Sequence, residues 1–530
     1  MPADRIGVPT ERIDLLRAAL DHLQQGRFAA TEANCNALLA RGPDCEAELL
    51  LGLALGAQGQ TPQAMRLFDR VARARPGHAH PCRDLAELLA GLGRTDEAVS
   101  HYQTWLARAP DDAAAHHAIG LLLAELGRIP EALLHFQRVV AIDPDPAMGW
   151  SNLGMMLKIE RQFDASIAAH DQAVARAPED PQVRVNRAVA LLHAGRLTEA
   201  WCDYEWRLRQ PGHASLPMTK LLPDIHGCNL AGRTVLVTHE EGFGDTLQFL
   251  RYVPMLAARG ARVVLAVPNE LTRIAATLDG VSEILPPSPL PLAGEVGERS
   301  SPGEGSAPGT DFDFRCPVFS LPRAFGTTLE TIPAPIPYLR ADPILVEAWS
   351  HRLPAGPRIG LVWAGQARPW LSGFTTLDRR RSAGLAHFAP LGAVPGVRFI
   401  SLQKGPPALE ARTAPPGMTL HDPMSDAADF ADTAAIISNL DLVVSVDTAV
   451  VHLAGALGKP VFLLDRYDNC WRWFSGRQDS PWYPLLRIFC QDSIGDWVPP
   501  MHRVAEALRN AFPIRAEAST SERERARWRK

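Results

Sequence analysis

Asp447 and Thr448 stand where an apolar, valine-rich run (441–446) gives way to a second apolar segment (449–457), and His452 follows four residues after Thr448. The first run suits a strand buried on both faces, the second a short helix that Gly458 ends before Pro460 and a further apolar strand, 461–464. A helix that starts where a buried parallel strand stops turns its free N–H groups and the positive end of its dipole toward the ligand crevice of an α/β sheet, and a phosphate group would bind there. Asp447 and Thr448 serve equally well as plain N-caps. His452 shares the Thr448 face one turn deeper, either as a core histidine or as a ligand contact. Gln403, Lys404 and Gly405 end another apolar run, 397–402, and a lysine on that same sheet edge is placed to meet a diphosphate. The third stretch, HEEGFGD (239–245), follows the apolar run 234–238. Its Asp245, at the mouth of a helix facing a cleft, can take a proton from an incoming hydroxyl or cap that helix, and Gln248 and Arg251 lie on the turns after it. The glycines of GFGDTL invite a dinucleotide reading, but Leu247 occupies the place of the third glycine, so the signal for NAD is weak.

Trp471, Trp473, Trp482 and Tyr483 crowd together with Arg472, Arg477 and Asp479, although aromatics make up only 7% of the chain. Such clusters wall a pocket or an interface. The pattern VDTAVVHLAGALGKPV followed by WRWFSGRQDSPWYP resembles the C-terminal half of bacterial family 9 glycosyltransferases, the heptosyltransferase-like group, in its form fused to tetratricopeptide repeats. That resemblance implies a GT-B fold and an inverting, metal-independent transfer from a nucleotide sugar, which is a substrate, so that no cofactor is needed. It makes Gly242 and Gly244 the glycines of the loop and Asp245 the catalytic base. It gives Lys404 to the diphosphate, and the basic run Arg379, Arg380, Arg381 followed by Ser382 corresponds to an Arg-Ser pair near the donor. Such a run is equally a solvated face. Gln403, Asp447, Thr448 and His452 complete the donor side, the four aromatics its pocket. Glu241 departs from the family, which often carries glutamine there.

These residues need a scaffold, and its plan is legible. Pro76, Pro110, Pro144 and Pro178 are 34 residues apart; Ala64, Ala98, Ala132, Ser166 and Ala200 keep the step, as do Phe68, Tyr102, Phe136, His170 and Tyr204, and Gly59, Gly93, Gly127, Arg161 and Gly195. This is the tetratricopeptide signature, an α-solenoid of about six helical pairs over residues 1–210. A peptide or protein segment recruited by the array is one reading; support of the second part, or self-association, is the other. Trp201, Tyr204 and Trp206 are placed to pack on the α/β segment beyond residue 210.

Beyond the array the hydrophobic period changes to that of strands alternating with helices. An N-terminal Rossmann-like half, 211–340, is assigned to the acceptor, with a Pro, Gly and Ser rich insertion at 286–310; a C-terminal half, 341–515, is assigned to the nucleotide sugar; a charged tail spans 516–530. Helices are predicted over 246–258, 426–440 and 498–512. With 54 basic and 59 acidic residues the net charge of −5 argues against a protein devoted to nucleic acid. Eight scattered cysteines without a CxxC pair suit a reducing compartment, and no apolar run approaches the roughly 20 residues of a membrane span. The expectation is a cytoplasmic enzyme of protein glycosylation, similar to flagellin-modifying transferases and more distantly to O-GlcNAc transferase, with serine or threonine hydroxyls as acceptors. Transfer to lipopolysaccharide and a non-catalytic repeat scaffold are the competing readings.

Overall fold

The computed structural model describes residues 10–74, 94–210, 220–285, 312–366 and 374–513, with a few residues between 83 and 90. The insertion 286–310, the tail 516–530, Pro76 and Gly93 lie outside the described residues. By packing, the chain forms two units: Met1–Glu160 with Asp171–Ala177, and Arg161–His170 with Pro178–Lys530.

The first unit is built of antiparallel helix pairs, Thr10–Gln24 with Phe28–Leu39, Cys45–Ala57 with Thr61–Ala74, and Ala113–Glu125 with Ile129–Ile142 among them. The repeat columns explain the packing. Asp44 and Asp112 cap their helices by accepting from the N–H groups of Ala47 and Ala115, at 3.1 and 2.9 Å. Gly59 and Gly127 both sit at φ +78°, a turn that a Cβ disfavours. Phe68 and Phe136 press so closely on Gly52 and Gly120 that a Cβ there would lie 2.9 and 2.8 Å from the ring. Ala64, Ala98 and Ala132 are fully buried between the helices.

The second unit begins with the last helical pair, Pro181–His193 and Leu197–Tyr204, which ends in a 3₁₀ turn, Glu205–Arg209. Two parallel sheets come next. The first has the order β3-β2-β1-β4, with β1 Thr234–Thr238, β2 Arg262–Ala266, β3 Val281–Leu285 and β4 Phe314–Pro317. The second has the order β10-β9-β8-β5-β6-β7, where β5 is Arg358–Val362, β6 Arg398–Ser401, β7 Leu420–His421, β8 Leu442–Val446, β9 Val461–Asp465 and β10 Leu486–Cys490. Every residue of β8 is buried, Ser445 included, as an almost unbroken apolar run requires. A continuous apolar core runs from Leu191, Trp201 and Tyr204 of the last pair through Phe249 to Leu453 and Trp471. Helix Val498–Ala511 covers the other face of the second sheet. Among the described residues no helix is long and apolar enough to cross a membrane.

Two elements differ from their sequence expectation. The helix over 246–258 is three pieces, Phe243–Phe249, a 3₁₀ turn Leu250–Tyr252 and Val253–Ala258, because Pro254 brings no N–H and the helix must restart around it. The helix over 426–440 starts only at Phe430, where Asp429 accepts from the N–H groups of Ala431 and Asp432. Arg161 takes the glycine position of its repeat and keeps the left-handed backbone, φ +59°. Its guanidinium donates to the Tyr467 carbonyl at 2.6 and 3.0 Å and lies 4.1 Å from that ring, contacts a glycine could not make.

Candidate functional site

The loop after β1 carries three carboxylates, and the fold treats each differently. Asp245 is the third residue of helix Phe243–Phe249; its Oδ2 accepts from the Gly242 N–H at 3.0 Å, and its Oδ1 meets Arg472 Nη2 at 2.5 Å. Arg472 comes from the turn Trp471–Trp473 beyond β9 and is almost fully buried. Burial alone would lower its pKa, but Asp245 first and Cys470 next hold it above the usual arginine value. A carboxylate has lone pairs beyond these two contacts, so Asp245 can still accept from a ligand. Glu240 is buried and gripped by Arg207 through Nε at 2.8 Å and Nη2 at 3.0 Å. Arg207 also donates to Glu205, to Ser320 Oγ and to the Tyr204 carbonyl, at 3.0, 2.9 and 3.0 Å. The Glu241 side chain is exposed, among the described residues its carboxyl makes no ion pair or hydrogen bond, and its backbone is left-handed at φ +58°.

Gly244 joins this loop to the second sheet. A Cβ on it would lie 2.9 Å from His452 Cδ2 and 3.1 Å from the Cα of Ala449, so helix Phe243–Phe249 lies directly on the first turn of helix Ala449–Ala456. The residues read as separate candidates in the two halves are thereby neighbours. Thr448 is the N-cap of that second helix, but its side chain makes no capping bond and meets Ser445 Oγ at 3.1 Å instead. His452 is buried, its Nδ1 is 3.0 Å from Tyr483 Oη, and its ring stacks on Trp473 at 5.2 Å. Burial, then Arg472 and Arg251, push its pKa well below the ordinary value, so the imidazole is neutral. A neutral ring can donate one hydrogen bond but brings no positive charge.

The remaining residues that the sequence resemblance assigns to the donor lie at the ends of β5, β6 and β8 or follow them. Gln403 spends its whole amide on the backbone: Oε1 accepts from Trp363 and Ala364 at 3.1 and 2.9 Å, and Nε2 donates to the Ala364 and Lys404 carbonyls at 3.0 Å each. It braces the end of β5. Lys404 is exposed and donates to the Ala427 carbonyl. The arginine run is not a solvated face as a whole. Arg380 pairs with Asp468 at 3.0 Å and Arg381 with Asp378 at 3.0 Å, and only Arg379 is exposed. Arg381 also donates to the Gln366 carbonyl at 3.0 Å, beside Gly365, whose N–H donates to Ser382 Oγ at 3.1 Å.

The aromatics are buried packing residues rather than walls open to solvent. Trp471 meets Trp201, Tyr204 and Phe249 at 6.0, 6.4 and 6.4 Å; Trp482 sets its edge on Phe249 at 5.8 Å; Tyr483 fills the space over Gly455. Arg251 is turned onto the backbone and donates to the carbonyls of Gln248, Pro333 and Trp482 at 2.8, 2.8 and 2.7 Å. Gln248 is fully buried.

Sequence reasoning passed over Arg472, Arg207 and Asp465. No spacing ties position 472 to 245, and only the folded chain brings them together. Asp465 follows Leu464, the partner of Val446 across β8 and β9, so it stands beside Asp447. Burial, then Asp447, raise its carboxyl well above the usual range. Among the described residues no three His, Cys, Asp or Glu side chains are placed to share a metal ion.

Tetratricopeptide repeat families match residues 16–79, 57–122, 93–151 and 160–208, and the family described as glycosyltransferase family 9 (heptosyltransferase) matches 427–473. The chain thus joins tetratricopeptide repeats to a glycosyltransferase family 9 segment, and that segment holds Asp447, Thr448, His452 and Arg472. Protein FlbA of Caulobacter vibrioides is 29% identical over 372 residues, 66% of this chain and 59% of FlbA, so the chain spans less than two thirds of that relative's length. Among solved structures, MamA 41-end from Desulfovibrio magneticus RS-1 is 21% identical, covering 32% of this chain and 98% of that one with a TM-score of 0.30. A tetratricopeptide repeat protein from Parabacteroides merdae is 19% identical, covering 38% and 79%, with a TM-score of 0.32.

Proposed function

We propose that the chain is an inverting GT-B glycosyltransferase that moves a sugar from a nucleotide sugar to a hydroxyl of a protein, serine or threonine, recruited by the repeats. The reading rests on the approach of Gly244 to Ala449 and His452, which brings a carboxylate loop against a helix terminus. Asp245 receives the hydroxyl proton as the oxygen attacks the anomeric carbon. The bond from that carbon to the diphosphate breaks with its electron pair on phosphate, and Lys404 and the terminus of helix Ala449–Ala456 stabilise the charge that appears, without a metal. His452 contributes a hydrogen bond rather than charge. Arg381 and Gln403 shape the loop at the end of β5, Asp447 the neighbouring edge. Flagellin is the acceptor and the cytoplasm the compartment that the sequence resemblance favours.

Calorimetric titration of UDP, ADP, GDP and CMP without divalent metal, on the whole chain and on Lys404→Ala and Asp447→Ala, tests the donor site. Micromolar binding of one nucleotide, weakened at least about tenfold by each substitution, is the expected outcome. Absence of binding by all four would leave the repeat scaffold as the better reading. The ion pair of Asp245 with Arg472 is the observation that favours that second reading, since it engages the candidate base in the absence of substrate.

A further inference from the structure

His452 and Tyr483 are both buried, with Nδ1 of the one 3.0 Å from Oη of the other. The imidazole lies on Trp473 with 18° between the planes, so Trp473 sets the plane of the ring. Two orientations in that plane remain, related by a half-turn that exchanges Nδ1 with Cδ2, and only the one observed offers Tyr483 a nitrogen. The ring edge opposite Nδ1 is the Cδ2–Nε2 bond, and Cδ2 is the atom that Gly244 approaches. Nε2 is therefore on the edge nearest the Asp245 loop, and among the described residues it makes no hydrogen bond.

A chain of hydroxyls settles which nitrogen carries the proton. Tyr338 has one proton and gives it to the Leu247 carbonyl at 2.9 Å, a group that can only accept. Toward Tyr483 Oη at 3.4 Å and Arg251 Nη2 at 3.3 Å, Tyr338 Oη is thus an acceptor. The Tyr483 proton then has two destinations, Tyr338 or His452. An O–H···O bond is ordinarily about 2.5–3.0 Å long, so Tyr338 is too far, while His452 Nδ1 is closer and an imidazole nitrogen is a stronger base than a phenol oxygen. The Arg251 guanidinium lies 4.6 Å from the Tyr483 ring, and a cation beside a phenol makes it a better donor. Burial, then Tyr338, hold the Tyr483 hydroxyl far above the usual phenol value, so it stays protonated. His452 is neutral and carries one ring proton; with Nδ1 accepting, that proton is on Nε2.

We propose that Tyr483 is a positioning residue of the transfer: by donating to His452 Nδ1 it places the ring proton on Nε2, which donates to an oxygen of the departing phosphate beside the Asp245 loop. This rests on the transferase reading above. No bond is made or broken at either residue. Negative charge gathers on the phosphate as its bond to the anomeric carbon breaks, and a donor already oriented there needs no reorganisation. In the opposite tautomer a lone pair would meet the anion. Gly455 belongs to the same arrangement, because a Cβ there would displace the Tyr483 ring.

The test reads the tautomer directly, by nitrogen NMR of the full chain carrying isotope-labelled histidine, with the His452 signals assigned by their loss in His452→Gln. The wild type should hold the proton on Nε2, and its resonance should move when UDP, ADP, GDP or CMP, whichever binds, is added to saturation. Tyr338→Phe removes the competing acceptor and should leave the proton on Nε2. Tyr483→Phe keeps the ring over Gly455 but should give a mixture of tautomers. Its kcat/KM for nucleotide release from UDP-, GDP-, ADP- or CMP-linked sugars, with water as acceptor, should fall about tenfold, the usual loss when the partner that orients a liganding histidine is removed. Combined with His452→Gln it should lose no more than His452→Gln alone, because Tyr483 acts only through that ring. If Tyr483→Phe does not fold, the wild-type tautomer and its response to nucleotide decide. A wild-type proton on Nδ1, a resonance that bound nucleotide does not move, a tautomer unchanged in Tyr483→Phe, or additive losses in the double variant overturns the positioning role and leaves the transferase reading standing. A wild type that binds none of the four nucleotides and releases nucleotide from none of the sugars overturns the transferase reading, and the positioning role with it.

Discussion

Replacing Arg207 with methionine should cost more than any surface charge change in this chain, and the loop of the candidate site should feel it first. Arg207 is almost fully buried between Glu240 and Glu205 and closes a ring with Ser320, whose hydroxyl donates to Glu205 at 2.9 Å. Removing one partner of a buried pair leaves the other charge uncompensated, a loss of about 3–5 kcal/mol. For a unit of this size that is a fall in Tm of roughly 4–7 °C. Glu240→Gln in the same chain removes the orphaned charge, so the double variant should recover part of the loss, with a coupling on the order of 1–3 kcal/mol. The assays are scanning calorimetry of the full chain and hydrogen exchange resolved to residues 239–245, which hang between Arg207 and Arg472. Exchange in that loop should accelerate in Arg207→Met and slow again in the double variant. If Arg207→Met melts with the wild type and its loop exchanges at the wild-type rate, the ring is ornamental and the last repeat does not position the loop.

Gly244→Ala should destabilise by about 1–3 kcal/mol and weaken nucleotide binding, because the new Cβ meets the backbone of Ala449, which has no flexible end to yield; unchanged Tm and affinity would contradict that close approach. His452 should make the protein less stable on acidification. Its folded pKa lies below the unfolded value, about 6.5, so the unfolded chain binds the extra proton and stability falls as pH drops through that value. A His452→Gln variant whose Tm falls with pH as steeply as the wild type's would exclude His452 as the cause. Nucleotide affinity should not rise as the pH falls through the same range, since the ring stays neutral in the folded chain; a rise lost in His452→Gln would show that the ring becomes charged in the complex.

The features legible in the chain are those that repeat or alternate along it. The helical pairs follow from columns 34 residues apart because each column has one steric job, filled the same way each time: Phe68 on Gly52 and Phe136 on Gly120 are one contact made twice. Strands β1, β5, β8 and β9 follow from apolar runs, and the helix after β8 from the change of period at Asp447. The site is a different matter, because its organising contacts are made between stretches with no common period. Arg472 looks like a charge stranded among tryptophans until Asp245 is found 2.5 Å away, and Glu240 looks like half of an acidic pair until Arg207 arrives from the repeat side. The crowding of the aromatics signals heavy burial, but whether the burial is against ligand or against Trp201 and Phe249 depends on which element docks there. The docking element is the last repeat pair. Its Trp201 donates to the Thr327 carbonyl at 2.8 Å and its Arg207 fixes the loop, so the 34-residue period continues into residues that, by packing, are part of the α/β unit. A repeat sequence records how a helix pair folds, and is silent on which neighbour that pair will serve.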